Sequence, residues 1–323
     1  MRIDAPSAIT GHTSLGDTGV TALVAADPDG MAAAVDVRGG GPGTRETDLL
    51  EPHNTVERVH AILLCGGSAF GLAAADGAMA ELERRGRGFP VFGEGAPGPR
   101  VPIVPAAVIF DLVVGDPAHR PTAADGAAAV AAALDGGGGL VESGSVGSGS
   151  VGAGCGATAG VLRGGFGHAR ARAAGYTVEA FVVANPVGSV VDPATGLLYG
   201  DPAQPAVDLE AFAQLERPTP KLNTTIGVIA TDAPLTKAQL KRVAMTGHDG
   251  IARAVRPAHS PLDGDTLFAV STAPAGAAPV HDVEALAQLG QVGAGVIQAA
   301  IVDAVVSAES AYGVTAWRDI AIV

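Results

Sequence analysis

Asn223-Thr224-Thr225-Ile226-Gly227-Val228-Ile229-Ala230 is the stretch on which the fold turns. Thr225 to Ala230 reads as a buried strand, because its residues are small or β-branched and none is charged. Beyond it, Thr236 followed by Gln239 forms a capping box, and the helix it opens turns Leu240, Val243 and Val255 inward until Pro257 ends it. Asp263-Gly264-Asp265 then leads into another apolar strand, Thr266 to Thr272. Upstream, Thr177 to Ala184 is a strand broken at Asn185-Pro186.

Further out the same alternation continues without a fixed period. Ala61 to Leu64 is strand-like, Gly66-Gly67 turns the chain, and a helix follows with Leu72, Ala75, Met79 and Leu82 on one face and Gly86 as its cap. Val108-Ile109-Phe110 and Leu112-Val113-Val114 read as buried strand, and Asp282 begins a long Ala/Val-rich helix towards Ser307. Irregular alternation predicts mixed α/β layers rather than a regular parallel barrel. No charged or Ser/Pro-rich linker marks a boundary, so 1–323 is expected to be a single domain.

Composition narrows the partners. With 33 acidic and 20 basic side chains the net charge is -13, which disfavours nucleic acid and anionic lipid surfaces. Glycine, at 46 of 323 residues, is about twice its average usage of about 7%. Hydrophobic content of 47% argues for a folded core rather than disorder. The start of the chain lacks a basic segment followed by an apolar one, so a cytoplasmic location is expected. The longest apolar stretch, Val101 to Val114, contains Pro102, Pro105 and Asp111 and predicts no membrane span. Cys65 and Cys155 lack CxxC spacing and are expected to be buried thiols. No metal or cofactor is expected, since no HExxH or paired His spacing occurs, and His248 and His259 read as solvated or structural.

Chemistry gathers at Asn223-Thr224. A Thr hydroxyl is a weak nucleophile unless a base takes its proton, and one available base is the residue's own α-amine, with a pKa of about 7.7 to 8. That amine exists only after the preceding peptide bond is cut. Thr224 Oγ1 attacking the Asn223 carbonyl would do so by an N-to-O shift, and Asn tolerates the strained backbone this requires. The plainer reading is a turn entering a strand. Asp263-Gly264-Asp265 adds two carboxylates which, two apart on an extended chain, would face one point, where one could hold a proton; a turn with solvated acids is the alternative. Asn185 offers an amide N–H to a developing oxyanion, or is an Asn-Pro turn.

Two glycine motifs are weaker. Gly147-Ser148-Gly149-Ser150-Val151-Gly152 matches G-x-G-x-x-G, but it lacks the preceding strand and the acidic residue downstream, which favours close backbone packing over dinucleotide binding. Gly66-Gly67-Ser68-Ala69-Phe70-Gly71 resembles a nucleophile elbow with Phe70 where Gly is needed, so Ser68 reads as an N-cap or pocket-lining group.

Together with Ala34 to Gly40, Pro42 to Asp48, Val104 to Asp111 and Asn185-Pro186-Val187-Gly188, these stretches resemble the DmpA-type aminopeptidases, a family that includes L-aminopeptidase/D-esterases, β-aminopeptidases and nylon-oligomer endohydrolases. The resemblance runs from near the N-terminus to residue 268. It implies a four-layer αββα sandwich of the N-terminal-nucleophile hydrolase type, autocleaved into 1–223 and 224–323 and assembled as a homotetramer. The Asn-Thr junction is similar to the nylon-oligomer (6-aminohexanoate oligomer) hydrolase branch. It implies Thr224 as nucleophile, Asn185 as oxyanion donor, Asp263 and Asp265 as its positioning acids, and short peptides, amino-acid amides or oligoamides as substrates. Phe110 stands where some relatives have Tyr. Val161 falls where they have a catalytic-site Lys, with Arg163 as a possible stand-in of different geometry. Acyl transfer of the ornithine acetyltransferase type and a non-catalytic nucleotide-binding or assembly role are the alternatives.

Overall fold

The computed structural model describes residues 8–136, 147–220 and 222–322. Expectations that touch the first six residues, the glycines at 137–139 and Lys221 lie outside that range.

Two sheets stack face to face. The first runs Ile9–Ser14, Gly19–Val24, Ala61–Cys65, Ala106–Val108, Thr44–Arg45 in spatial order. The second runs Gly165–Ala173, Tyr176–Ala184, Ile226–Thr231, Thr266–Ser271, Met31–Val37, Arg58–Val59. Side chains alternate between the two faces of each strand, and the alternation builds the layers. Leu23, Ile62 and Leu64 of the first sheet meet Phe181, Val183, Val228 and Phe268 of the second in a central core. Ala22, Leu63 and Cys65 face the other way, onto Ala78 and Leu82 of helix Ala74–Arg84 and Val130 of helix Ala123–Asp135. Val182 and Ile229 face helices Lys237–Ala254 and Val283–Ser307 through Leu240, Val243, Ile297 and Ile301. The result is the expected four-layer αββα sandwich. Both faces of each sheet are covered, which is why the central strands read as continuous apolar runs.

Each sheet contains one parallel pair among its described strands, and each pair is joined through a helix. Ala61–Cys65 lies parallel to Ala106–Val108 across helix Ala74–Arg84. Ile226–Thr231 lies parallel to Thr266–Ser271 across helix Lys237–Ala254, opened by the expected Thr236/Gln239 capping box.

Three expectations are corrected. The strand expected over Val108 to Val114 stops at Val108, because Asp111 turns inward to accept from Thr18 Oγ1 at 2.8 Å and from the Gly67 N–H at 2.6 Å. Among the described residues the segment long and apolar enough to cross a membrane, by length and composition alone, is not Val101 to Val114 but helix Val283–Ser307. Here it is a core helix: a Cβ on Gly167 would stand 2.0 Å from the Ala300 carbonyl, so glycine lets strand and helix close together. At Gly67, φ is +80°, and this glycine rather than Ser68 occupies the cap position of the following turn. The Gly147 to Gly152 loop behaves as the packing reading expected. Gly149 exchanges backbone bonds with Phe166 and abuts the Ser307 carbonyl, and only a three-residue 3-10 turn follows, too short to supply a phosphate-binding helix.

Candidate active site

The second parallel pair carries the residues of interest at its N-terminal end. Register Ile226↔Thr266 continues upstream as a parallel bridge Asn223↔Asp263, so the Asn223-Thr224 peptide lies beside Asp263-Gly264-Asp265. Strand, capped helix and parallel strand thus turn two motifs far apart in sequence into neighbours.

The Asn223-Thr224 peptide is held on every side. Thr224 Oγ1 donates to the Asn223 carbonyl at 2.6 Å, and the Gly264 N–H donates to the same oxygen at 3.2 Å. The Thr224 N–H donates to the Asn185 carbonyl at 2.7 Å. The Asn223 side chain donates to Thr158 Oγ1 at 3.1 Å and to Asn185 Oδ1 at 3.2 Å. Asn223, Thr224, Asn185, Asp263 and Asp265 are all buried. Gly264 has no room for a side chain: a Cβ would lie 2.6 Å from the Gly41 carbonyl and 2.8 Å from Thr224 Oγ1.

The two acids do not converge on one point as the sequence suggested. Asp263 accepts from the Val187 N–H at 2.9 Å through Oδ1, and from the Ser260 N–H and Oγ–H at 3.0 and 2.6 Å through Oδ2. Asp265 accepts from the Thr225 N–H at 2.8 Å through Oδ1, and its Oδ2 engages His259 Nδ1 at 2.7 Å. Each carboxylate ties down a different wall, because donors on separate turns claim their oxygens. Burial pushes the Asp263 carboxyl above the ordinary range against the pull of its three donors, and the neighbouring Asp265 charge adds to the rise.

Asn185 is brought to the junction, but its amide points elsewhere than expected. Its Oδ1 accepts from the Thr158 N–H at 2.8 Å and from the Asn223 amide, which leaves Nδ2 to donate to the Phe110 carbonyl at 3.1 Å. Phe110 therefore borders the site through its backbone. Ser68 is one link further out, its N–H donating to the Ile109 carbonyl at 3.0 Å. Val161 sits in the turn of the Thr158–Ala159/Leu162–Arg163 hairpin and packs on the outer core. Arg163 does not replace the family Lys at the junction: it is fully buried and bonds the Cys155 carbonyl and Ser150 Oγ. Among the described residues a cation that reaches Asn223 is Arg217, with Nη2 3.4 Å from Asn223 Oδ1 and 3.3 Å from the Pro186 carbonyl. Burial lowers its pKa.

Sequence reading missed Arg217, Ser260, the Gly264 N–H and the His248–His259 pair. Of the two readings, solvated or structural, His248 takes the second: it is completely buried and packs edge-on against His259, with centroids 4.9 Å apart. Proximity of His259 to Asp263-Gly264-Asp265 in sequence was the available signal. Among the described residues no cluster of His, Cys, Asp or Glu has the arrangement of a metal site.

The profile of peptidase family S58 matches residues 3–317. An uncharacterized aminopeptidase of Mycobacterium leprae is 48% identical over 318 residues, covering 93% of this chain and 85% of that protein. The 6-aminohexanoate-oligomer endohydrolase of Kocuria sp. is 34% identical over 289 residues, covering 84% of this chain and 75% of that protein. Among solved structures, the L-aminopeptidase D-Ala-esterase/amidase of Ochrobactrum anthropi, a variant of the Ntn hydrolase fold, superposes with a TM-score of 0.66 at 21% identity, covering 95% of this chain and 88% of that one.

Proposed function

The chain belongs to peptidase family S58, and within that family we propose that it is a self-processing amide hydrolase whose nucleophile is Thr224, freed as an N-terminus by cleavage after Asn223. The observation that carries this reading is the geometry of one carbonyl: Asn223 O receives Thr224 Oγ1 at 2.6 Å and the Gly264 N–H at 3.2 Å. As Oγ1 adds to the carbonyl carbon, negative charge develops on an oxygen that already has a fixed backbone donor. The hydroxyl proton passes to the Thr224 nitrogen, the C–N bond breaks, and an Asn223–Thr224 ester remains. Water hydrolyses it, leaving a carboxylate on Asn223 and an amine on Thr224.

Turnover reuses the same parts. A substrate amide carbonyl takes the place of the Asn223 carbonyl, the Thr224 amine accepts the hydroxyl proton, and the Asn185 carbonyl, 2.7 Å from that nitrogen, orients the amine by accepting one of its protons. Asp265 fixes the following peptide through the Thr225 N–H, and Asp263 fixes the Asn185-Pro186-Val187 turn. Asn185 stabilises the substrate oxyanion only once its amide leaves the Phe110 carbonyl. The large and small fragments would stay together as one domain, because Ile226–Thr231 and Thr266–Ser271 lie between Tyr176–Ala184 and Met31–Val37 in a continuous sheet.

The names of the relatives point to amines and amides as substrates: short peptides, amino-acid amides and 6-aminohexanoate-type oligoamides. The test is a panel of amino-acid anilides, β-dipeptides and 6-aminohexanoate oligomers, with newly released amine as the readout for wild type and Thr224→Ala. Wild type should turn over at least one class and the variant none. Equal turnover by Thr224→Ala would remove Thr224 from the mechanism.

A further inference from the structure

His259 stands next to the junction in an unusual posture. It follows Pro257 and Ala258 with φ at +55°, a left-handed conformation that a β-carbon disfavours by roughly 1–2 kcal/mol. That conformation points both its backbone N–H, at 3.2 Å, and its Nδ1, at 2.7 Å, to a single oxygen, Asp265 Oδ2. A carboxylate accepts only, so Nδ1 carries a proton. Nε2 is shut off from solvent with no hydrogen-bond partner among the described residues, and so is Nδ1 of His248, whose ring packs at 71° to that of His259. His248 Nε2 approaches the Asp36 carbonyl at 3.1 Å and the Asp36 carboxylate at 3.5 Å. Asp36 in turn pairs with Arg38 at 3.0 Å and Lys241 at 3.8 Å near the surface. Orphaned nitrogens and a left-handed backbone both cost stability, so packing alone does not account for a histidine here.

We propose that His259 is a positioning residue for Thr224, acting through Asp265. With Oδ2 held twice by His259, the carboxylate cannot rotate, and Oδ1 stays on the Thr225 N–H at 2.8 Å. That bond fixes the peptide immediately after the nucleophile and, through it, the direction of the Thr224 side chain. His248 backs the imidazole from the helix side and limits its tilt. The inference rests on Thr224 being the nucleophile.

The experiment compares His259→Asn, His259→Gln and His259→Ala with wild type and Thr224→Ala as full chains. Self-cleavage is followed by intact mass, kcat and KM are measured on an amino-acid anilide, and a melting curve is recorded for each. Asn puts an amide N–H where Nδ1 stood and tolerates the left-handed backbone. Gln places its amide where Nε2 stood and Ala has none. His259→Gln and His259→Ala should lower kcat and the cleavage rate about tenfold or more with KM nearly unchanged, while His259→Asn stays within about threefold of wild type. Should His259→Ala not fold, the Asn and Gln variants decide: both keep an amide donor, Asn alone presents it at the Nδ1 position, and their melting curves separate a loss of positioning from the added strain of Gln in a left-handed backbone. Wild-type kcat in His259→Gln beside an inactive Thr224→Ala overturns the positioning role and leaves the nucleophile standing. Activity in Thr224→Ala overturns the nucleophile itself.

Discussion

The two parallel strand pairs of the sandwich are built alike and used at opposite ends. In the first sheet the C-terminal ends of Ala61–Cys65 and Ala106–Val108 carry Gly66-Gly67 and a buried acid, Asp111. In the second, the N-terminal ends of Ile226–Thr231 and Thr266–Ser271 carry Thr224, Asp263 and Asp265. Both ends bury carboxylates against backbone N–H groups. At the first, Asp111 holds Thr18 and the Gly67 N–H, and burial raises its pKa to about 6. At the second, a hydroxyl and a peptide carbonyl lie 2.6 Å apart within the ring of donors. The two ends meet where Asn185 Nδ2 donates to the Phe110 carbonyl. Burying an acid at a strand end shapes a loop in both places; only the second end adds a hydroxyl bonded to a peptide carbonyl that also takes a backbone N–H.

Substitutions at the two ends should separate these roles. The largest effect is expected from Gly264→Ala, whose methyl group would collide with the Gly41 carbonyl and Thr224 Oγ1. Self-cleavage followed by gel should slow at least about 100-fold, on the scale of losing an oxyanion donor. Asp265→Asn should slow cleavage and turnover by about tenfold or more with KM little changed, because Thr225 keeps an acceptor while His259 loses the charge it grips. Steady-state kinetics on the processed protein check it.

At Asp111 the expected effect is on stability, with cleavage unaltered. A carboxyl raised from 3.8 to about 6 in the folded protein binds more protons there than when unfolded, so its contribution falls as pH rises through that interval. The loss is about 3 kcal/mol, complete above pH of about 6. Denaturant melts at pH 4 and pH 7 should show this slope in wild type and a shallower one in Asp111→Asn. The smallest effect is Thr236→Ala at the capping box of the second crossover helix, costing about 1 kcal/mol with cleavage unaltered. Urea unfolding measures the first and intact mass the second.

Much of this was legible in the sequence because local signals agreed with the fold. The capping box at Thr236 and the apolar strands on either side of helix Lys237–Ala254 marked the segment that brings Thr224 to Asp265. Helix Ala123–Asp135 was missed because its alanines give little periodicity, although Thr122 and Asp125 spelled a capping box. Strand Gly165–Ala173 was missed despite the Ala/Arg alternation in its second half. The structure brings Asn185, Asn223, Thr224, Asp263 and Asp265 together, but the bonds among them were not legible. Which way the Asn185 amide turns depends on three donors competing for Oδ1, and the Gly264 N–H belongs to the backbone, which leaves no letter to read. Arg217 gave no signal, since nothing nearby in sequence says that the chain folds back onto Asn223.

The central claim is that the Asn223-Thr224 bond is broken by Thr224 itself. Intact mass spectrometry of the purified full-length chain, followed over time, measures this directly. Two fragments of 223 and 100 residues, the second beginning at Thr224, should replace the 323-residue chain. Thr224→Ala should remain whole. A wild-type chain that stays intact on prolonged incubation, or a Thr224→Ala chain that is cut at the same bond, would contradict the account.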